Sequence, residues 1–168
     1  MSDPSSSICI GCGLCCDGTL HGRTTVREDD EQAVVACGLT VGEENHKRFF
    51  EQPCPRFSCG ECSVYQSRPV VCRTYRCELL RAVDAGRTTE TEALNRIATA
   101  KMLVAAVREV DRDSITPAQR SVLTNRLKGD LKDEDEAVRE SSTHALLKAA
   151  ALEHFLNRWF LKQQEPVG

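Results

Sequence analysis

Apolar residues recur at helical spacing in the second half of the chain. From about Thr88 onward, positions three and four residues apart form one apolar stripe, which consists of Leu94, Ile97, Ala100, Val104 and Val107. Thr89 and Glu92 have the spacing of a capping box, which marks a helix start just before that stripe. The pattern therefore predicts a long amphipathic helix.

Two more helices are predicted toward the end of the chain. Thr116 followed by proline indicates a helix start, and Gly129 is expected to end that helix. The acidic run 130–136 is expected to form a solvated first turn of the next helix. The last apolar stripe consists of Ala145, Ala149, Leu152, Leu156 and Trp159. Such stripes form either partner-binding faces or a shared core, and we predict a core that joins the helices.

The first half of the chain has weaker periodicity and is expected to be rich in loops. Residues 19–26 are compatible with a strand, and residues 28–37 with a short helix that ends before Gly38. The predicted fold class is α+β. Its parts are a disordered leader over residues 1–8, a small loop-rich domain with short strands over 9–80, and a helical extension over 86–163.

Composition and charge exclude several classes of protein. The chain has 168 residues, of which 40% are hydrophobic and 28% are charged, as in ordinary globular proteins. A pI of about 5.8 disfavours nucleic-acid binding, which usually involves a basic surface. Neither a signal-peptide pattern nor an apolar run of membrane-spanning length is present. We therefore expect a cytoplasmic protein that binds neither nucleic acid nor membrane.

All ten cysteines lie between Cys9 and Cys77. In a secreted protein such density would indicate disulfides, whereas in a reducing cytoplasm it indicates metal ligation or thiol chemistry. The densest run is C-x-x-C-x-x-C-C over residues 9–16, where two-residue spacers let successive sulfurs face one centre. Because consecutive residues usually point to different sides of the backbone, we expect Cys15 and Cys16 to serve two different centres.

A second group of cysteines extends from Cys54 to Cys77. Cys59 and Cys62 have zinc-knuckle spacing, and together with Cys54 they also match the spacing of plant-type ferredoxins. A centre with four thiolates has a charge of about −2, so cations are expected nearby. Four arginines fall within this group: Arg56, Arg68, Arg73 and Arg76. The array therefore predicts thiolate ligation of iron or zinc.

The order of these motifs resembles the YkgJ-like CxxCxxCC cysteine-cluster family, small and mostly bacterial proteins described as zinc- or iron-chelating domains. The resemblance covers about residues 9–77, from the first cysteine run to Cys72-Arg-Thr-Tyr-Arg-Cys77, and it includes the Arg68-Pro69 step. It implies metal-ligand roles for eight cysteines: Cys9, Cys12, Cys15, Cys16, Cys54, Cys62, Cys72 and Cys77. These ligands divide into two four-sulfur sites, and we expect each site to combine both groups. Iron, held as an iron–sulfur cluster or as iron alone, is preferred over zinc.

The chain departs from the family pattern at three positions. Arg76 stands where the family often has proline. Cys59 and Cys37 lie outside the eight ligands. Cys59 is either an extra ligand or a spare thiol, whereas Cys37 is predicted to be buried and structural.

Three function classes stay open. No phosphate-binding loop or nucleophile elbow is present, so the sequence identifies no catalytic residue. His21 and His46 are expected to be exposed and without a role. The classes are a metal-binding or electron-transfer module, a structural zinc domain that presents the helices to an unknown protein partner, and a cluster-dependent modifying enzyme. The last class rests on a similarity to the cysteine region of flagellin lysine methylases.

Overall fold

The computed structural model describes residues 4–161 and contains short elements in the first half and long helices in the second. The short helices are α1 (Pro4–Cys12), α2 (Glu31–Ala36), α3 (Val70–Thr74) and α4 (Glu78–Asp84), with a 3₁₀ turn at Glu28–Asp30. The strands are β1 (Arg23–Val26), β2 (Gly42–Glu44), β3 (Lys47–Glu51), β4 (Phe57–Ser58) and β5 (Glu61–Cys62). The long helices are α5 (Glu90–Val110), α6 (Pro117–Asp130) and α7 (Glu136–Trp159). This architecture confirms the predicted α+β class.

The predicted leader over residues 1–8 overlaps helix α1, which begins at Pro4. Residues 1–3 lie outside the described part of the chain. The division into a domain over 9–80 and an extension over 86–163 stays a prediction.

A small antiparallel sheet forms the base of the first half. Strand β3 is central, with β1 and β2 on either side, and Thr24 pairs with Phe50 in its register. Phe50 is buried together with Val26 and Val34, which forms a small core between the sheet and α2. The strand predicted over 19–26 is shorter in the structure, because β1 begins only at Arg23. The helix predicted over 28–37 is divided into the 3₁₀ turn and α2, and Gly38 follows it with a φ of +72°.

Sequence signals placed the starts of α5 and α6 correctly, whereas α7 begins only at Glu136 and not with the acidic run that was expected to form its first turn. The capping box of α5 is formed in both directions, since Glu92 N donates to Thr89 Oγ1 over 3.2 Å and Thr89 N donates to Glu92 Oε2 over 2.8 Å. Helix α6 continues one residue beyond Gly129, which does not end it. The acidic run 130–136 mainly connects α6 to α7, because the side chain of Asp135 caps α7 by accepting from Ala137 N.

The main hydrophobic core joins both halves of the chain. It combines apolar residues of α1 and α4 with the apolar stripes of α5, α6 and α7, which confirms that these stripes form a core. Leu94 is an exception, because it is exposed while Ala93 occupies the buried position. Cys12, Cys15 and Cys77 pack against this core. None of the helices within residues 4–161 has both the length and the apolar composition needed to cross a membrane.

Candidate metal centre

The eight cysteines predicted as ligands line one cavity of about 410 Å³. Its walls come from α1 and the loop after it, from β5, and from the segment that contains α3 and the start of α4. All ten cysteines of the chain are free thiols in the structure. Cys37 is buried in the smaller core, as predicted, and its Sγ lies 3.6 Å from the carbonyl oxygen of Ser67. Cys59 is exposed at the tip of the β4–β5 hairpin, outside the cavity wall.

Four of the thiols interact electrostatically around the end of α1. The pKa of Cys12 is raised to about 12, mainly by burial and to a lesser degree by the nearby thiolates of Cys77 and Cys9. Burial also raises the pKa of Cys15, with Cys12 and Cys77 as its strongest charged neighbours. Because charge interactions weaken with distance, these partners are spatial neighbours. We call Cys9, Cys12, Cys15 and Cys77 the first thiol set.

The other four thiols interact on the adjoining side of the cavity. Burial raises the pKa of Cys16 to about 12, and its strongest charged neighbours are Cys54, Cys62 and Cys72. Burial raises the pKa of Cys72 to about 11, again with Cys54 and Cys62 as its strongest charged neighbours. We call Cys16, Cys54, Cys62 and Cys72 the second thiol set.

The two sets adjoin at two consecutive residues. Cys15 interacts mainly with the first set and Cys16 with the second, although the two also influence one another. Each set combines thiols from both cysteine groups of the sequence. Within residues 4–161 no group of three or more Cys, His, Asp or Glu side chains has the spacing of a formed metal site. The ligand roles of the eight cysteines stay predictions.

The donor chemistry of both sets fits zinc or iron. Four sulfur donors are the ligand number that structural zinc and iron–sulfur clusters take. Burial raises the pKa of three thiols in each set, so these thiols are protonated at neutral pH unless a cation binds; they are Cys12, Cys15 and Cys77 in the first set and Cys16, Cys54 and Cys72 in the second. Metal binding therefore has to displace protons from these thiols.

The first cysteine loop is shaped by a helix end and a glycine. Cys9 and Cys12 are three residues apart in α1, so their side chains lie on the same face of the helix. The chain then turns at Gly13, which has a φ of +72°. A Cβ atom at Gly13 would also collide with the ring of Phe57. Both the positive φ and this collision exclude a side chain at the position. This turn brings Cys15 back toward the other thiols of the first set.

A buried carboxylate positions the segment that contains Cys72. Both oxygens of Asp30 accept hydrogen bonds from the start of α3, from Val70 N over 2.9 Å and from Val71 N over 2.7 Å. The residue is only 3% exposed. Asp30 is the N-cap residue of α2, but its side chain makes no cap hydrogen bond there and instead caps α3, some forty residues later in the chain.

We expect replacement of Asp30 with alanine to destabilise the protein by about 1–3 kcal/mol, because two buried N–H groups of α3 lose their acceptor. Metal occupancy of the second thiol set is expected to fall as well, since α3 contains Cys72. Denaturant unfolding and metal analysis measure the two effects. Asp29→Ala is the matched control, because Asp29 is exposed and pairs only with Arg27 on the surface. Equal stability of the two variants would contradict this role of Asp30.

Two of the four predicted arginines lie close to the second thiol set. The guanidinium groups of Arg56 and Arg68 counter the effect of burial by lowering the pKa of Cys54 and Cys72, respectively. Arg76 instead forms an ion pair with Asp84 at 3.7 Å. Charge compensation of the second set by arginine is therefore partial, as expected if some of these residues are ordinary surface cations.

A histidine–tyrosine pair lies at the wall of the cavity. His21 Nε2 is 2.7 Å from the hydroxyl oxygen of Tyr75, and their rings meet edge to face. Burial lowers the pKa of His21, and burial together with the charges of Cys15 and Cys77 raises the pKa of Tyr75. His21 is thus half-buried and precedes β1, where the sequence indicated an exposed strand residue. His46 is exposed in the β2–β3 turn, as expected.

Cations of the long helices contact the loop that follows Cys16. Arg108 of α5 pairs with Asp17 at 3.3 Å. Arg120 of α6 is almost fully buried and donates to the carbonyl oxygen of Thr19 over 3.0 Å. It also forms an ion pair with Glu153 of α7. The helical half therefore helps to position the first cysteine loop.

Comparison with family models matches residues 8–101 to the CxxCxxCC family, whose description proposes a zinc- or iron-chelating domain. The match covers more than half of the 168 residues and includes all ten cysteines. No curated protein and no solved structure matches the chain.

Proposed function

Because the chain belongs to the CxxCxxCC family of proposed zinc- or iron-chelating domains, we propose that it binds two metal centres through eight cysteine thiolates. The first thiol set provides the ligands of one centre, and the second thiol set provides those of the other. The observation that carries this proposal is the grouping of the eight thiols. Where the charge of other thiols raises the pKa of a thiol, the strongest of these neighbours belong to the same set of four. Four sulfurs complete the coordination of either metal.

Iron, as an iron–sulfur cluster, is the preferred occupant, and the proposed role is that of a redox or electron-transfer module. Such a cluster supplies one-electron chemistry, and surrounding charge and solvent exposure tune its potential. Cys9 and Cys72 support this role, because each set has one exposed thiol through which electrons could reach a partner at the surface. A reducing cytoplasm, the location that we propose, would keep all these thiols available.

A structural zinc domain is the second candidate, and a separate observation favours it. Cys12, Cys15 and Cys77 pack against the core that α1 and α4 share with the long helices. Zinc bound by the first thiol set would therefore stabilise the whole helical region, which could present its outer surface to a protein partner.

Anaerobic purification followed by metal analysis and a visible spectrum tests both candidates. A brown protein with absorbance near about 400 nm supports an iron–sulfur module. A colourless protein with two zinc ions per chain supports the structural role and rejects the redox role. A folded protein that takes up neither metal, even after reduction and reconstitution, would refute the metal-binding proposal for this chain.

A further inference from the structure

Helix α5 places a lysine beside the first cysteine loop. Lys101 Nζ donates to the carbonyl oxygen of Gly11 over 2.6 Å, although the two residues are far apart in the sequence. Gly11 lies between Cys9 and Cys12 in the last turn of α1, so the ammonium group is bound to the helix turn that supplies two thiols of the first set. Lys101 also lines the same surface groove as Cys12.

No carboxylate within the described part of the chain neutralises the charge of Lys101. Among the ion pairs of residues 4–161 none involves Lys101. Arg108 lines the same groove, but it is paired with Asp17. The ammonium of Lys101 also lowers the pKa of Cys12, against the larger effect of burial.

The first thiol set has a different electrostatic environment from the second. The second set has two guanidinium groups nearby, those of Arg56 and Arg68. Near the first set, burial and, to a lesser degree, the carboxylate of Glu78 raise the pKa of Cys77, and the nearby guanidinium group of Arg81 is paired with Glu78 at 3.5 Å. A centre of four thiolates with a divalent metal has a charge of about −2, so the first set needs a cation from elsewhere in the fold.

We propose that Lys101 is the positioning and charge-compensating residue of the first thiol set. Its hydrogen bond to the carbonyl oxygen of Gly11 holds the last turn of α1, which contains Cys9 and Cys12, and its positive charge offsets the negative charge of the metal-bound thiolates. This inference rests on the proposed function. It makes α5 a part of the metal site and gives the helical half of the chain a role in metal affinity.

Three substitutions in the full-length protein separate the charge from the hydrogen bond. Lys101→Met removes both, Lys101→Gln keeps a donor without the charge, and Lys101→Arg keeps both. The affinity of each metal site is measured by competition with a chelator, first with zinc and then with ferrous iron. Lys101→Met and Lys101→Gln are expected to weaken one of the two sites about fivefold, because an exposed cation contributes modestly. Lys101→Arg is expected to stay near the unmodified affinity.

Salt dependence and a matched control complete the experiment. The affinity difference between the unmodified protein and Lys101→Gln is expected to shrink as salt increases, because salt screens an exposed charge. Lys132→Met removes the same charge from an exposed position after α6 and is expected to leave both affinities unchanged. Helix content and melting temperature show whether each variant is folded.

The outcomes distinguish this inference from the proposed function. The role of Lys101 would be overturned if two metals bind and the affinity of each site is the same in the unmodified protein, in Lys101→Met and in Lys101→Gln. The proposed function would stay intact. Weakening by Lys101→Met alone would overturn charge compensation and leave only the hydrogen bond. Absence of metal binding in the unmodified protein would overturn the proposed function, and the inference with it.

Discussion

Replacing Cys12 with serine is expected to remove one metal centre per chain, which is one zinc ion or one iron–sulfur cluster, and replacing Cys72 is expected to remove the other centre. A hydroxyl is a poor ligand for the metals that thiolates bind well, so three remaining sulfurs hold the metal much more weakly. Cys59→Ser, at the exposed hairpin tip, is the matched control and should retain both metals. Metal analysis after gel filtration under anaerobic conditions gives the stoichiometry.

Double substitutions test which thiols belong together. Cys12→Ser combined with Cys77→Ser affects the first thiol set twice and should remove only one metal. Cys12→Ser combined with Cys72→Ser affects both sets and should remove two. The assignment of thiols to the two sets would be refuted if the Cys12→Ser, Cys77→Ser variant loses both metals and the Cys12→Ser, Cys72→Ser variant retains one.

Removal of metal by a chelator is expected to lower the melting temperature of the long helices by about 10 °C. Binding stabilises a folded protein by about 4 kcal/mol when free ligand is a thousandfold above its dissociation constant, and each kcal/mol shifts the melting temperature of a chain of this size by about 2–4 °C. The helices respond because Cys12, Cys15 and Cys77 pack against the core that they share with α1 and α4. Circular dichroism at about 222 nm follows their melting, since most helical residues lie in α5, α6 and α7.

The control for this experiment is reloading with metal, which should restore the original melting curve. An unchanged helical transition, in protein from which metal analysis shows complete removal, would contradict the coupling. It would indicate instead that the cysteine region and the helices are independent units.

Local sequence signals predicted the long helices well. The capping boxes at Thr89 and Thr116 mark helix starts because their hydrogen bonds span only three residues. The face of α5 was less certain, since Ala93 and Leu94 both fit an apolar stripe, and packing against neighbouring helices selects the smaller residue. Gly129 lacked the left-handed conformation that ends a helix, so α6 continued past it.

The eight cysteines that line the cavity are those that the family resemblance implied, whereas the residues around the cavity could not be predicted. Asp30 resembles any surface acid at a helix start, and only the folded chain shows that it caps α3. Lys101 reaches the last turn of α1, and Arg120 reaches the loop that follows Cys16, from helices whose sequences contain no metal-binding signal. Such contacts depend on how distant elements pack, which periodicity and spacing along the chain do not encode.

The interleaving of the two thiol sets has a consequence for synthesis on the ribosome. Cys9, Cys12 and Cys15 emerge long before Cys77, which completes their set, and Cys16 emerges long before its three partners. The nascent chain therefore exposes the four closely spaced thiols of residues 9–16 before either thiol set is complete. Neither centre can be completed before most of the cysteine region has been translated. If the two sets bind metal as we propose, metal delivery has to act after translation of this region, and an earlier supply of metal would favour ligation of the wrong thiols.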